Sequence, residues 1–283
     1  MTIDKQDIDD QLAAFAATED DALPLAEIAL LLSLYRYPNT DLAPYRQHLA
    51  DIADTMRSLV DSDKYRNATE PLAARRSLLQ FCIHEQLGYE GDINDYDHLD
   101  NASLVRVIDR RRGLPIALTI LHVHAARSVG WDVTGLNFPG HVYARIEGEQ
   151  GRLLFDPFDN AQEVHAHDLR QAIKRLFGPQ AELSAQYYAP MSNRDMLIRL
   201  QNNIKLRLLE KGDEKGALRI VNGMRLFAPH EHRLLLDAGV LYARAGERKQ
   251  AGILLEEYLS TLNHPGERAE IIALLRSLHE TLN

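Results

Sequence analysis

Between Pro115 and Gly130 the sequence PIALTILHVHAARSVG sets apolar residues around nearly the whole circumference of a helix. A surface helix would confine them to one stripe, so this pattern predicts a buried, central helix. Pro115 suits the first helical position, where the missing N–H has no intrahelical partner, and Gly130 ends the run. Residues 131–137 read as a strand, Phe138-Pro139-Gly140 as a turn, residues 141–147 as a second strand, and residues 152–156, after a Gly148–Gly151 hairpin loop, as a third. His141 opens one of these strands and Asp156 closes its antiparallel neighbour, which sets an imidazole beside a carboxylate.

Ahead of this stretch, apolar periodicity predicts helices over 24–37, 41–60 and 71–87, bounded by Pro24, Pro38 and Gly88. Residues 89–101 (YEGDINDYDHLDN) are acidic and turn-rich, but lack the glycine and distal glutamate of a calcium-binding loop. They read as a solvated loop capping a short helix over 103–112. That helix closes in Arg110-Arg111-Arg112, which reads as a solvated cationic end suited to the helix dipole. After Asp156 the chain continues as loop, then as a helix from His167-Asp168 to Phe177, and a Pro/Gly-bounded stretch leads to a boundary near Met191.

The last ninety or so residues align with themselves at a period of about 34, as tetratricopeptide repeats do. Gly212 matches Gly246, Ala217 matches Ala251, Leu208 matches Tyr242 and Val221 matches Leu255. The spacing predicts two helix pairs and a capping helix over 267–282. Two roles stay open for them: packing within the protein, or holding a partner.

Charge is unevenly spread over the 283 residues. Residues 1–192 hold 18 Lys and Arg against 29 Asp and Glu, and residues 193–283 hold 14 against 12. A negative main domain argues against phosphate-backbone recognition, so no nucleic acid is expected. The first 21 residues are acidic and read either as a frayed tail or as a docked helix. The single cysteine, Cys82, excludes an internal disulfide and a cysteine-based zinc site. There is no signal-peptide pattern and no run of membrane-spanning length, so a cytoplasmic protein without membrane attachment is expected.

The phrasing RRGLPIAL…PGH…DPFD, a buried helix and then strand, histidine, strand and aspartate, resembles the core of the transglutaminase and papain-like cysteine enzymes. It more closely resembles the bacterial SirB family, which joins a transglutaminase-like domain to tetratricopeptide repeats, over about residues 25–283. The resemblance implies an α+β fold, with a transglutaminase-like domain and its N-terminal helical region over 24–190 and an all-α repeat segment over 191–283; composition sets an acidic tail over 1–23 ahead of them. It also implies a Cys-His-Asp triad in which His141 and Asp156 hold their places. Counting back from Gly130, the nucleophile's place falls on Pro115, whose side chain cannot attack.

Three residues could stand in for that nucleophile. Thr119 lies one turn into the helix, Cys82 sits in an apolar context on another helix, and Ser103 could arrive from a loop. Metal binding has little to build on. His122 and His124 are about 200° apart around the helix and cannot share an ion, and His165 and His167 lack a third ligand at recognisable spacing. The expectation is therefore a protein without cofactor or metal that acts by binding a protein partner or in regulation. The alternative is a hydrolase or acyltransferase that uses His141 and Asp156 with water or a nucleophile from elsewhere.

Overall fold

The computed structural model describes residues 5–62, 71–149 and 151–280. They form two compact units. One is Glu19–Leu200, and the other combines the chain from Gln201 with the N-terminal segment up to Thr18.

The helices and strands follow in chain order. α1 spans Lys5–Ala14, α2 Leu25–Ser33, α3 Ala43–Asp61 and α4 Leu72–Gln80. α4 runs directly into a wider π-helical turn, Phe81–Gln86. Next come β1 (Glu90–Gly91), α5 (Leu104–Arg110), β2 (Arg112–Gly113) and α6 (Pro115–Arg127). The sheet strands are β3 (Val133–Leu136), β4 (Tyr143–Gly148), β5 (Gly151–Asp156) and β6 (Gln162–Val164), followed by α7 (Ala166–Phe177). The remaining helices are α8 (Asn193–Glu210), α9 (Glu214–Phe227), α10 (Arg233–Arg244), α11 (Arg248–Thr261) and α12 (Pro265–Glu280).

In the first unit, α6 is the central helix its pattern requires, with every residue from Pro115 to Val123 buried. Its end is a closing turn. Gly130 takes a left-handed backbone at φ 73°, and the Trp131 N–H reaches back to the Ala126 carbonyl at 3.0 Å, which satisfies an otherwise orphaned helix carbonyl. Against α6 lies an antiparallel sheet in the order β3-β4-β5-β6. Ala144 pairs with Phe155 and both are fully buried, so alternate residues of β4 and β5 turn inward while Tyr143 and Arg145 stay half-buried. The helix and the sheet thus share one core in an α+β arrangement.

Two features differ from the sequence expectation. β6 pairs with β5 from Leu154↔Val164 to Asp156↔Gln162, where the pattern predicted continuing loop. Gln162 and Glu163 are exposed edge residues and give no alternating signal. His141 precedes β4 rather than opening it, because it belongs to the turn that begins at Phe138.

In the second unit, which takes in α8 from Gln201, α9 packs on α10, α10 on α11 and α11 on α12. Gly212 and Gly246, one period apart, both close their helices with positive φ, 74° and 80°. Ala217 and Ala251 are both fully buried. Helix α1 packs on α9 and buries Ile8 and Leu12 completely or nearly so. Of the N-terminal acidic segment, Lys5–Ala14 is therefore helical, and the part up to Thr18 belongs to this unit.

Candidate active site

His141 and Asp156 meet. The imidazole Nε2 lies 2.9 Å from each carboxylate oxygen of Asp156. Both side chains are partly shielded, 22% and 15% exposed, where a charge-assisted hydrogen bond is stronger than in open water. The Phe158 N–H donates to Asp156 Oδ1 at 2.9 Å and fixes the carboxylate's orientation. Because Nε2 faces the carboxylate, Nδ1 is turned to the far side of the ring. A neutral imidazole donating from Nε2 presents a lone pair there.

The turn that carries His141 is held from a residue the sequence pattern did not suggest. Arg199, on α8, donates to the carbonyls of Phe138 and His141, both at 3.0 Å, and to Asn137 Oδ1 at 3.2 Å. A cationic side chain at that distance in sequence gives no pattern linking it to a turn sixty residues earlier. Rings surround the imidazole: Tyr143 at 4.7 Å between centroids and Phe158 edge-on at 6.0 Å. Burial, with the Asp156 charge adding to it, pushes the Tyr143 phenol up to about 12, so it stays protonated.

None of the three stand-in nucleophiles reaches this pair as a free group. The Thr119 hydroxyl is buried and donates to the Pro115 carbonyl at 2.8 Å. Cys82 is fully buried, and burial pushes its thiol up to about 12, far from the thiolate that nucleophilic chemistry needs. Ser103 is buried at the start of α5, and its hydroxyl has no hydrogen-bond partner among the described residues. Pro115 is buried at the first position of α6.

The histidines thought of as ligands do not converge. His124 Nε2 pairs with the Leu49 carbonyl at 2.8 Å. His122 packs at a tilt against His84, itself buried on the π-helical turn, at 5.0 Å between ring centroids, and against Phe155 at 5.5 Å. Each ring donates from Nδ1 to a backbone carbonyl, His122 to Leu118 at 2.9 Å and His84 to Tyr89 at 2.7 Å. Burial lowers both pKa values, and the neighbouring ring adds to the effect on His122, taking it to about 3. His165 and His167 are exposed, and His167 lies 2.9 Å from Asp168. No group of three or more metal-ligating side chains occurs among the described residues.

Residues 93–98 are the exposed loop that composition suggested, but its flanks and two of the three arginines at the helix end are not solvated. Asp92 is 2% exposed and receives the Arg110 guanidinium at 2.7 Å. Arg110 also donates to Asn101 Oδ1 at 2.7 Å, and Asn101 donates in turn to the Asp95 carbonyl at 2.7 Å. Arg111, in a left-handed conformation at φ 57°, donates to the Tyr89 hydroxyl at 2.6 Å and to His48. Only Arg112 remains outside, paired with Glu90. Desolvation makes partners of charges that sequence alone reads as solvated.

Gly91 ties this loop to the site. A Cβ there would fall 2.5 Å from the Phe158 carbonyl oxygen and 2.6 Å from its ring, so backbone beside Asp156 would have to move. Gly91→Ala is expected to destabilise the first unit by about 1–3 kcal/mol, as overpacking does, and to displace the His141 imidazole resonances in NMR. Wild-type stability and unchanged resonances would show that the contact gives way freely.

No helix among the described residues is long and apolar enough to cross a membrane. The model of the transglutaminase-like superfamily matches residues 43–202. A UPF0162 protein of Xylella fastidiosa is 29% identical over 249 residues, which cover 87% of this chain and 86% of that protein. Protein SirB1 of Salmonella typhimurium is 25% identical over 163 residues, 57% of this chain and 60% of its own. F-box only protein 21 of Mus musculus is 22% identical over 270 residues, 86% of this chain and 42% of its own.

Proposed function

The chain belongs to the transglutaminase-like superfamily, and we propose that it works there without a covalent nucleophile, as a protein-binding or regulatory member. In this reading the cleft around Pro115, His141 and Asp156 recognises a protein partner. One observation carries it: the His141–Asp156 pair is intact and partly open, while Thr119, Cys82 and Ser103 are buried. A proline at the start of α6 supplies neither thiol nor hydroxyl. The helix pairs of the second unit fit the tetratricopeptide pattern and offer a second surface for the same work. A lone cysteine with no disulfide partner supports a reducing, cytoplasmic setting.

The alternative reading, a hydrolase or acyltransferase, draws support from the orientation of His141. With Asp156 on Nε2, Nδ1 could take a proton from a bound water, Asp156 holding the tautomer. A single assay separates the two readings. Purified protein is given a glutamine-containing peptide with a fluorescent primary amine, and peptide mass is followed for both transfer and hydrolysis. No turnover above buffer is expected. Turnover that disappears in His141→Ala and Asp156→Asn would establish the enzyme instead.

A further inference from the structure

The first unit has a cavity of about 410 Å³ where the start of α2 and the last turns of α6 meet α3. Its floor is apolar, with Leu25, Leu49, Ala53 and Val123 all buried. The space comes from α3. Arg46, Ala50, Ala53 and Arg57 follow at steps of four, three and four, so one stripe of that helix sets two short side chains between two arginines. α6 lies alongside, with His124 Nε2 donating to the Leu49 carbonyl at 2.8 Å, and adds Arg127 one turn further on. The charges lining the cavity are three arginines and one glutamate. Glu27 takes Arg46 for itself, accepting from Nε at 2.9 Å and from Nη2 at 2.5 Å. Arg57 is exposed and shares Asp54, one turn back on α3, and its charge adds to burial in lowering the His124 pKa. Arg127 is exposed too, donates to the neutral Asn193 Oδ1 at 2.8 Å, and has Asp20, Asp21 and Asp132 further off. One end of the cavity is thus a closed ion pair, and the other presents two exposed guanidinium groups.

We propose that this cavity binds a small amphipathic carboxylate, its head at Arg57 and Arg127 and its hydrocarbon tail along α3. Guanidinium groups match a planar carboxylate with parallel N–H···O bonds, and a floor of buried aliphatic side chains suits a hydrocarbon better than water. The tail runs over Ala53 and Ala50 toward the Glu27–Arg46 pair. Ala50 to Arg57 is about 10 Å of helix, the reach of a chain of about eight carbons. The volume falls within the range of small-molecule sites, roughly 300–1,000 Å³. A single negative charge fits the head, because Asp54 already shares Arg57 and further carboxylates surround Arg127. A dianion such as phosphate would meet those acids and leave the apolar floor bare. The site stands apart from His141 and Asp156. Its α6 residues begin at Val123, about 12 Å along the helix from Pro115. The inference therefore goes beyond the binding reading above and does not depend on it.

The test uses the full chain and sodium octanoate, followed by ligand-observed NMR titration. Saturable binding with a Kd on the order of 0.1–1 mM is expected for a ligand of about ten heavy atoms. Octylammonium has the same tail and the opposite charge, and acetate is the head alone. Each should bind at least about tenfold more weakly. Arg127→Gln removes a charged donor and should weaken octanoate about tenfold. Ala50→Phe, from an exposed position of α3, fills the cavity without touching its charges and should abolish binding. Both positions are exposed, so both variants should keep the wild-type circular dichroism. Arg219→Gln, exposed on α9 in the second unit, should leave binding unchanged. No saturable binding up to about 10 mM octanoate would overturn the proposal. So would octylammonium binding equally well, inorganic phosphate displacing octanoate at equal concentration, or indifference to either cavity substitution.

Discussion

Acidification from pH 6.5 to 4.5 is expected to cost the first unit about 2 kcal/mol through His122 alone. Burial, with His84 beside it, lowers this histidine's pKa to about 3 in the fold, against about 6.5 in an unfolded chain. Between those values the unfolded state binds the proton and the folded state does not. The stabilising contribution is therefore complete above pH 6.5 and is lost as pH falls toward 3, at about 1.4 kcal/mol per pH unit. Burial lowers the His84 pKa too, and that loss has the same sign. The measurement is urea unfolding followed by Trp131, the single tryptophan, which is buried within this unit. His122→Leu keeps an apolar side chain in the place and removes the titration, so its stability should fall much less over the same range. Carboxylate effects common to both proteins cancel in the difference. Equal losses in wild type and variant would show that the ring is protonated in the fold at little cost.

Arg110→Ala should destabilise the same unit by about 3 kcal/mol at neutral pH. The substitution leaves a carboxylate that is 2% exposed without its cation, and breaking one side of a buried pair is far more damaging than replacing both. Burial alone would push the Asp92 carboxyl up. The Asp95 N–H, Arg110 and Asn101 outweigh it and hold the carboxyl below its ordinary value. In the wild type this stabilisation is present above about pH 4 and is lost as pH falls through the folded pKa. Without Arg110 burial dominates and the acid is held neutral more easily. The deficit of the variant should therefore shrink toward pH 3.5, and adding Asp92→Asn should restore part of it at pH 7. A deficit that is flat with pH and untouched by Asp92→Asn would place the damage in packing.

Both predictions come from places the sequence reads poorly. The central helix was legible because apolar residues on all sides admit one solution, and His141 and Asp156 were legible because a hairpin carries them to neighbouring strands. The family resemblance rested on those same residues. The environment of Asp92 and Arg110 was not legible. Eighteen positions apart in an acidic loop and at a helix end, each has a composition that water would suit equally well. His84 and His122 meet across separate helices, and neither the π-helical turn that carries His84 nor the ring contact itself leaves a periodic trace. Arg199 was hidden for a further reason. It lies in the second turn of a helix whose later turns belong to the second unit, and the repeat pattern there carries no link to the turn it holds.

The packing of α1 on α9 has a consequence for how the protein comes off the ribosome. Ile8 and Leu12 are made long before α9, and at 5–20 residues per second they wait about 10–40 s for the helix that covers them. The first unit can complete its core in that interval, while the second stays open until translation has passed Phe227. A tag or truncation at the N-terminus would then be felt at the far end of the polypeptide, in the helices synthesised last.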